Sequence, residues 1–162
     1  NWARKDGSTP AFIAAQFGQT AALKVLVGAG CDVNQADKDG VTLTYIAAQK
    51  GHTAALEVLV RAGCDVNQAQ KDGATPAYIA AQKGHLAALE LLVKAGCNVN
   101  QAMLDGRTPA FVAAHLGQTA ALDILVKAGS DVNQAMSDGR TPAYIAALMG
   151  HTAAFELLVI AG

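Results

Sequence analysis

KDGATPAYIAAQKGH, residues 71–85, recurs as KDGVTLTYIAAQKGH at residues 38–52, and three looser copies stand elsewhere in the chain. Within this stretch Thr75 followed by Pro76 is a helix start: a capping hydroxyl, then a residue whose missing amide costs nothing in the first turn. The pattern predicts a short helix from Ala77 to Lys83 that Gly84 ends, because glycine accepts the left-handed turn that closes a helix. Downstream, Leu86 to Ala95 reads as a second helix with Leu89, Leu92 and Val93 as its buried stripe. Gly96 ends that helix, and residues 97–106 cross in extended form to a tight turn at Asp105-Gly106. Helices this short are marginal alone, since isolated helices below ~12–15 residues barely persist in water. Each must therefore bury its apolar face on a neighbouring copy.

The copies keep strict register. Asp-Gly stands at 6–7, 39–40, 72–73, 105–106 and 138–139, always 33 residues apart, and units 38–70 and 71–103 share 25 of 33 residues. A fixed period of this size marks a stacked array of small units. Asn1-Trp2-Ala3 is in phase with Asn34-Gln35-Ala36, and Gly162 with Gly30, Gly63, Gly96 and Gly129. The expected organisation is one domain over 1–162, in units of about 1–37, 38–70, 71–103, 104–136 and 137–162. In unit two, Leu43-Thr44 replaces Pro-Ala, and a proline at 43 is expected to stabilise through the unfolded chain.

Composition narrows the function. The net charge of −1 gives no electrostatic reason to bind nucleic acid or an anionic membrane. The apolar runs fall far short of the ~20 residues that span a bilayer. Cys31, Cys64 and Cys97 occupy one register position, with Ser130 in the fourth copy. Stacked helices ~8–10 Å apart exceed the ~7 Å Cα limit of a disulfide. Reduced, packed thiols are expected, which favours an intracellular, cytoplasmic setting. Neither the cysteine spacing nor the lone carboxylate of each Asp-Gly turn suits a metal, and no cofactor is expected. No acid, base and nucleophile stand in a catalytic pattern, so the chain reads as a non-enzyme.

The pattern D-G-x-T-P-x-x-x-A-A-x-x-G-H followed by L-x-x-L-V-x-A-G-x-D-V-N resembles the ankyrin repeat over nearly the whole chain. The resemblance implies an all-α solenoid of helix-turn-helix units joined by β-hairpin-like loops. One departure is clear: Thr-Pro-Ala-Phe or Thr-Pro-Ala-Tyr replaces the family's Thr-Pro-Leu-His. The inter-repeat histidine bond of that motif is thus missing at Phe12, Tyr45, Tyr78, Phe111 and Tyr144. His52, His85 and His151, which follow the helix-ending glycine, read as structural. Asn34, Asn67, Asn100 and Asn133 are expected to satisfy buried backbone groups between loops. In some ankyrin proteins the matching asparagine is hydroxylated, and Leu26, Leu59, Leu92 and Leu125 stand eight residues upstream as such a site requires.

The resemblance also implies a partner protein, bound on a concave face made by hairpin tips and first helices. Carried over by position, that face comprises Asp37, Lys38, Val41, Gln70, Lys71, Ala74, Met103, Leu104, Arg107, Met136, Ser137 and Arg140 from the hairpins, with Arg4, Lys5 and Ser8 in the first unit. Gln16, Phe17, Gln49, Lys50, Gln82, Lys83, His115, Leu116, Leu148 and Met149 come from the helix ends. Much of the variation between copies falls here. Varied charged positions are also ordinary solvated ones, but Met103, Leu104, Leu116, Met136, Leu148 and Met149 form an apolar set expected to be exposed, marking either a contact site or an edge that further repeats would bury. The expected function is non-catalytic protein recognition. A second reading is an engineered or trimmed structural array without a natural ligand, which the near-identical units also fit. Phe155, Leu158 and Ile160 leave the last unit apolar, so self-association or fraying through it is a further expectation.

Overall fold

A computed structural model describes residues 7–162; Arg4, Lys5 and Asn1-Trp2-Ala3 lie outside the described residues. Ten helices occur among them: α1 (Pro10–Gln16), α2 (Thr20–Gly28), α3 (Leu43–Lys50), α4 (Thr53–Arg61), α5 (Pro76–Lys83), α6 (Leu86–Lys94), α7 (Pro109–His115), α8 (Thr119–Lys127), α9 (Pro142–Leu148) and α10 (Thr152–Ala161). Each odd helix packs on the even helix that follows it. Odd helices also pack on odd and even on even, so the chain builds two parallel helical layers. Among the described residues the extended backbone makes a single antiparallel bridge, Ala36 with Thr42.

The odd helices start as the Thr-Pro reading requires. Thr9, Thr42, Thr75, Thr108 and Thr141 each accept, at 3.1–3.2 Å, the amide three residues on. That bond satisfies one of the orphan donors every helix start leaves. The odd layer is lined by alanine pairs such as Ala47-Ala48, Ala80-Ala81 and Ala113-Ala114, all fully buried. The even layer buries Leu56, Leu59, Leu89, Leu92, Leu122 and Leu125. One continuous core runs through both layers. Leu43 is also fully buried at the start of α3. Exchange for proline would therefore remove packed side chain as well as an amide, and that loss offsets the gain expected from the proline alone.

The connecting segments are fastened by a ladder of polar bonds. The Asp32 carboxylate accepts the Asn34 amide, and Asn34 Oδ1 accepts the Asp65 amide at 2.7 Å. The same step recurs from Asn67 to Asn98 and from Asn100 to Asp131, each at 2.7 Å. The asparagines thus link loops as expected, but they do so at the surface: Asn34 and Asn133 are exposed, and Asn67 and Asn100 half-buried. An edge ladder needs only to saturate amides that face the next loop. His52, His85 and His151 each donate from Nε2 to a carbonyl 36 residues earlier, on Gln16, Gln49 and His115, at 3.1–3.2 Å.

The tyrosines do something the sequence reading did not foresee. Tyr45 Oη accepts from Gln70 Nε2 at 2.8 Å. Tyr78 lies in the same register, but Met103 stands where Gln70 would be, and the buried Tyr78 Oη has no hydrogen-bond partner among the described residues. In the next copy the matching residues are Phe111 and Met136. Tyr with Gln and Phe with Met are matched pairs; Tyr78 with Met103 is not. Burial, with Asp72 and Tyr78 nearby, pushes the Tyr45 phenol up to about 12 despite the Gln70 bond, so both phenols stay neutral hydroxyls. A hydroxyl left unsatisfied costs about 1–3 kcal/mol, whereas a made bond contributes about 1. Tyr78→Phe is therefore expected to raise stability by about 1 kcal/mol and Tyr45→Phe to lower it by about 1. Thermal unfolding of the two variants checks the opposite signs.

The cysteines are free thiols, half-buried in register, and burial pushes the Cys97 thiol up to about 11. In α10, Leu158 is buried at 2% exposure, contrary to its expected place on an exposed apolar end, because it repeats the inward position of Leu125. Phe155 and Ile160 are exposed, at 37% and 87%.

Candidate functional site

The hairpins before α3, α5, α7 and α9 have a common construction. The amide of Gln70 donates to Ala74 O at 3.0 Å and that of Gly73 to Gln70 O at 2.9 Å, closing a turn over Lys71 and Asp72. Residues 37–41, 103–107 and 136–140 repeat the pair of bonds. Successive hairpins are joined by backbone: Lys71 N–H donates to Asp39 O at 3.2 Å and Leu104 N–H to Asp72 O at 3.0 Å. Ser137 N–H and Asp105 O stand at 3.5 Å. The tips therefore form a ribbon along the edge of the odd layer.

On this ribbon Lys38 and Lys71 are exposed, as is Leu104 at 83%. Val41, Met103 and Met136 are not free side chains. All three are half-buried and pack against the core, which corrects the expectation that both methionines belong to an exposed apolar set. The reason is their register: each methionine occupies the place from which Gln70 reaches the tyrosine of the previous odd helix. Ser8 is half-buried and belongs to the first hairpin position.

A second row lies at the ends of the odd helices. Lys50 and Lys83 end α3 and α5, and Leu116 and Met149 are the residues next after α7 and α9. All four are exposed. Beside them Gln49, Gln82 and His115 are half-buried, while Leu148 is exposed. Phe17 belongs to this row too, next after α1, and is 62% exposed. The row thus reads Phe17, Lys50, Lys83, Leu116, Met149: apolar at both ends and cationic in the middle.

Four of the sequence-predicted residues meet in one cleft of about 260 Å³, lined by Asp105, Arg107, Phe111, His115, Met136, Arg140 and Ile145. Arg107 Nε donates to Asp105 Oδ2 at 2.7 Å, and Arg140 Nε to Asp138 Oδ2 at 2.7 Å. Asp105 and Asp138 also accept the backbone amides of Arg107 and Arg140 at 3.1 Å. The Arg140 side chain, with its amide, holds the Asp138 carboxyl below the usual carboxylate range. The His115 and Phe111 rings lie tilted with centroids 6.4 Å apart. Sequence reading picked the arginines, His115 and Met136, but missed their acidic partners and the apolar floor of Phe111 and Ile145. The signal was present as Asp-Gly-Arg, since an Asx turn places residues two apart side by side.

The two layers differ in charge. The odd helices carry Lys50, Lys83 and His115 and no acidic residue, whereas the even helices carry Glu57, Glu90, Asp123 and Glu156 among Lys24, Arg61, Lys94 and Lys127. Arg61–Glu57 and Lys127–Asp123 pair at 2.6 Å along that outer surface. Among the described residues no helix is long and apolar enough to cross a membrane.

A family model described as ankyrin repeats (3 copies) matches residues 11–103 and 98–162. No curated protein matches the chain.

Proposed function

The chain belongs to the ankyrin-repeat family, whose members are generally protein–protein interaction modules and typically non-catalytic, and on that premise we propose that it binds a partner protein through the hairpin ribbon and odd-helix ends. The observation that carries the proposal is the row Phe17, Lys50, Lys83, Leu116 and Met149, which repeats one backbone position with different exposed side chains. A scaffold holds backbone places constant and varies what they present. Alanine pairs let the odd helices approach more closely than the leucine-lined even helices, so a stack of these units bends toward the odd layer and makes that side concave. The side so formed is the one without helical acids. A fitting partner brings acidic groups to Lys50 and Lys83 and an apolar anchor to Leu116 and its neighbours.

Buried apolar anchors carry most binding energy, whereas rim charges chiefly tune association rate and salt dependence. With a partner purified on the intact chain, Leu116→Glu is expected to cost about 2 kcal/mol of affinity or more, mainly through faster dissociation. Lys50→Ala is expected to cost far less and to flatten the salt dependence. Surface plasmon resonance at two salt concentrations reads both. A partner that binds Leu116→Glu as tightly as the parent chain places its contact elsewhere.

A further inference from the structure

The geometry points to a carboxylate-receiving subsite: the cleft of Arg107, His115 and Arg140, over Phe111, Met136 and Ile145, takes one acidic side chain of the partner's binding segment. It rests on the reading of the odd-helix face as the binding face and names one contact within it.

Three independent features converge there. The first is distribution. The arginine position holds Ser8, Val41 and Ala74 in the earlier copies, and the His115 position holds Gln16, Gln49, Gln82 and Leu148 in the others. Among the described residues, two guanidiniums and an imidazole share a cleft between residues 105 and 145.

The second is orientation. Asp105 engages Arg107 through Nε at 2.7 Å, and Asp138 engages Arg140 through Nε and Nη2, at 2.7 and 2.6 Å. Each guanidinium is thereby held by its own hairpin. The carboxylates thus sit at the Nε side of each guanidinium, and a planar guanidinium carries further donors on its other edge. A guanidinium fork matches a carboxylate in plane and spacing. Because the arginines are already fastened, little side-chain entropy is lost when the acid arrives.

The third is size and charge. At about 260 Å³ the cleft lies below the ~300–1,000 Å³ of pockets for drug-sized ligands and suits one inserted side chain. Asp105 and Asp138 offset the two arginine charges, and Asp105 itself lines the cleft, so a doubly charged phosphate would meet more repulsion there than a singly charged carboxylate. Phe111 and Ile145, both buried, with half-buried Met136 beside them, give the floor an apolar character and favour an apolar residue next to the acid.

A random peptide library displayed on phage and selected on the immobilised chain tests this. The expected result is enrichment of Asp or Glu beside an apolar residue. Synthetic peptides from that set should bind the R107Q/R140Q chain at least about tenfold more weakly, with its melting temperature close to that of the parent. Selected peptides without acidic enrichment overturn the subsite. So do peptides that lose affinity with Leu116→Glu but not with R107Q/R140Q, an outcome that leaves the binding face standing. Peptides indifferent to both variants overturn the face itself.

Discussion

Gly73→Ala is expected to lower the free energy of unfolding by about 3 kcal/mol or more. Two costs coincide there. Gly73 has φ +90°, where an L side chain is strained, and a Cβ would lie 2.9 Å from both Leu104 N and Met103 Cα of the next hairpin. Those are backbone atoms, so relief requires the hairpins to part, and the Leu104 N–H bond to Asp72 O at 3.0 Å would go with them. Gly96→Ala separates the two costs. Its φ is +82°, yet nothing lies within 4 Å of a Cβ built on it. Only backbone strain of about 1–2 kcal/mol applies. Urea unfolding of the pair measures the difference; equal losses would mean that the hairpins are not in backbone contact.

Leu89→Ala should also cost about 3 kcal/mol, since it removes a fully buried side chain from a core enclosed on both sides and leaves a cavity. Phe155 holds the same place in α10 but is 37% exposed. Phe155→Ala should cost much less, although phenylalanine is the larger side chain. Position along the stack, rather than residue type, then sets the effect, as nearest-neighbour coupling in an array requires. Urea denaturation of both variants reads the contrast, and a Phe155→Ala loss equal to that of Leu89→Ala would contradict it.

The fold was legible because its causes are local and repeated. Thr75-Pro76 specifies a cap and a first turn, Gly84 with φ +67° closes the helix, and the spacing of Leu89 and Leu92 states which side is buried. The helix after Gly84 ends at Lys94, one residue short of its expected end. Less legible were properties that depend on the adjoining copy. Met103 and Met136 read as exposed because hairpin tips usually are, yet their place under the previous aromatic buries them in part. Leu158 read as part of an apolar end, but its register with Leu125 turns it inward. The Tyr45–Gln70 bond spans 25 residues, a spacing neither helix period nor turn chemistry would single out. Of the candidate site, the positions could be named residue by residue. That Arg107, His115, Met136 and Arg140 meet in one cleft needed the stacking of α7 and α9 to be seen.

Amide hydrogen exchange of the chain with and without a bound partner protein tests the binding face most directly. Added protection should fall on hairpins 70–74, 103–107 and 136–140 and on the ends of α3, α5, α7 and α9, while α4, α6, α8 and α10 exchange as in the free chain. Protection centred on the even helices, with the hairpins unchanged, would contradict recognition through the odd-helix face.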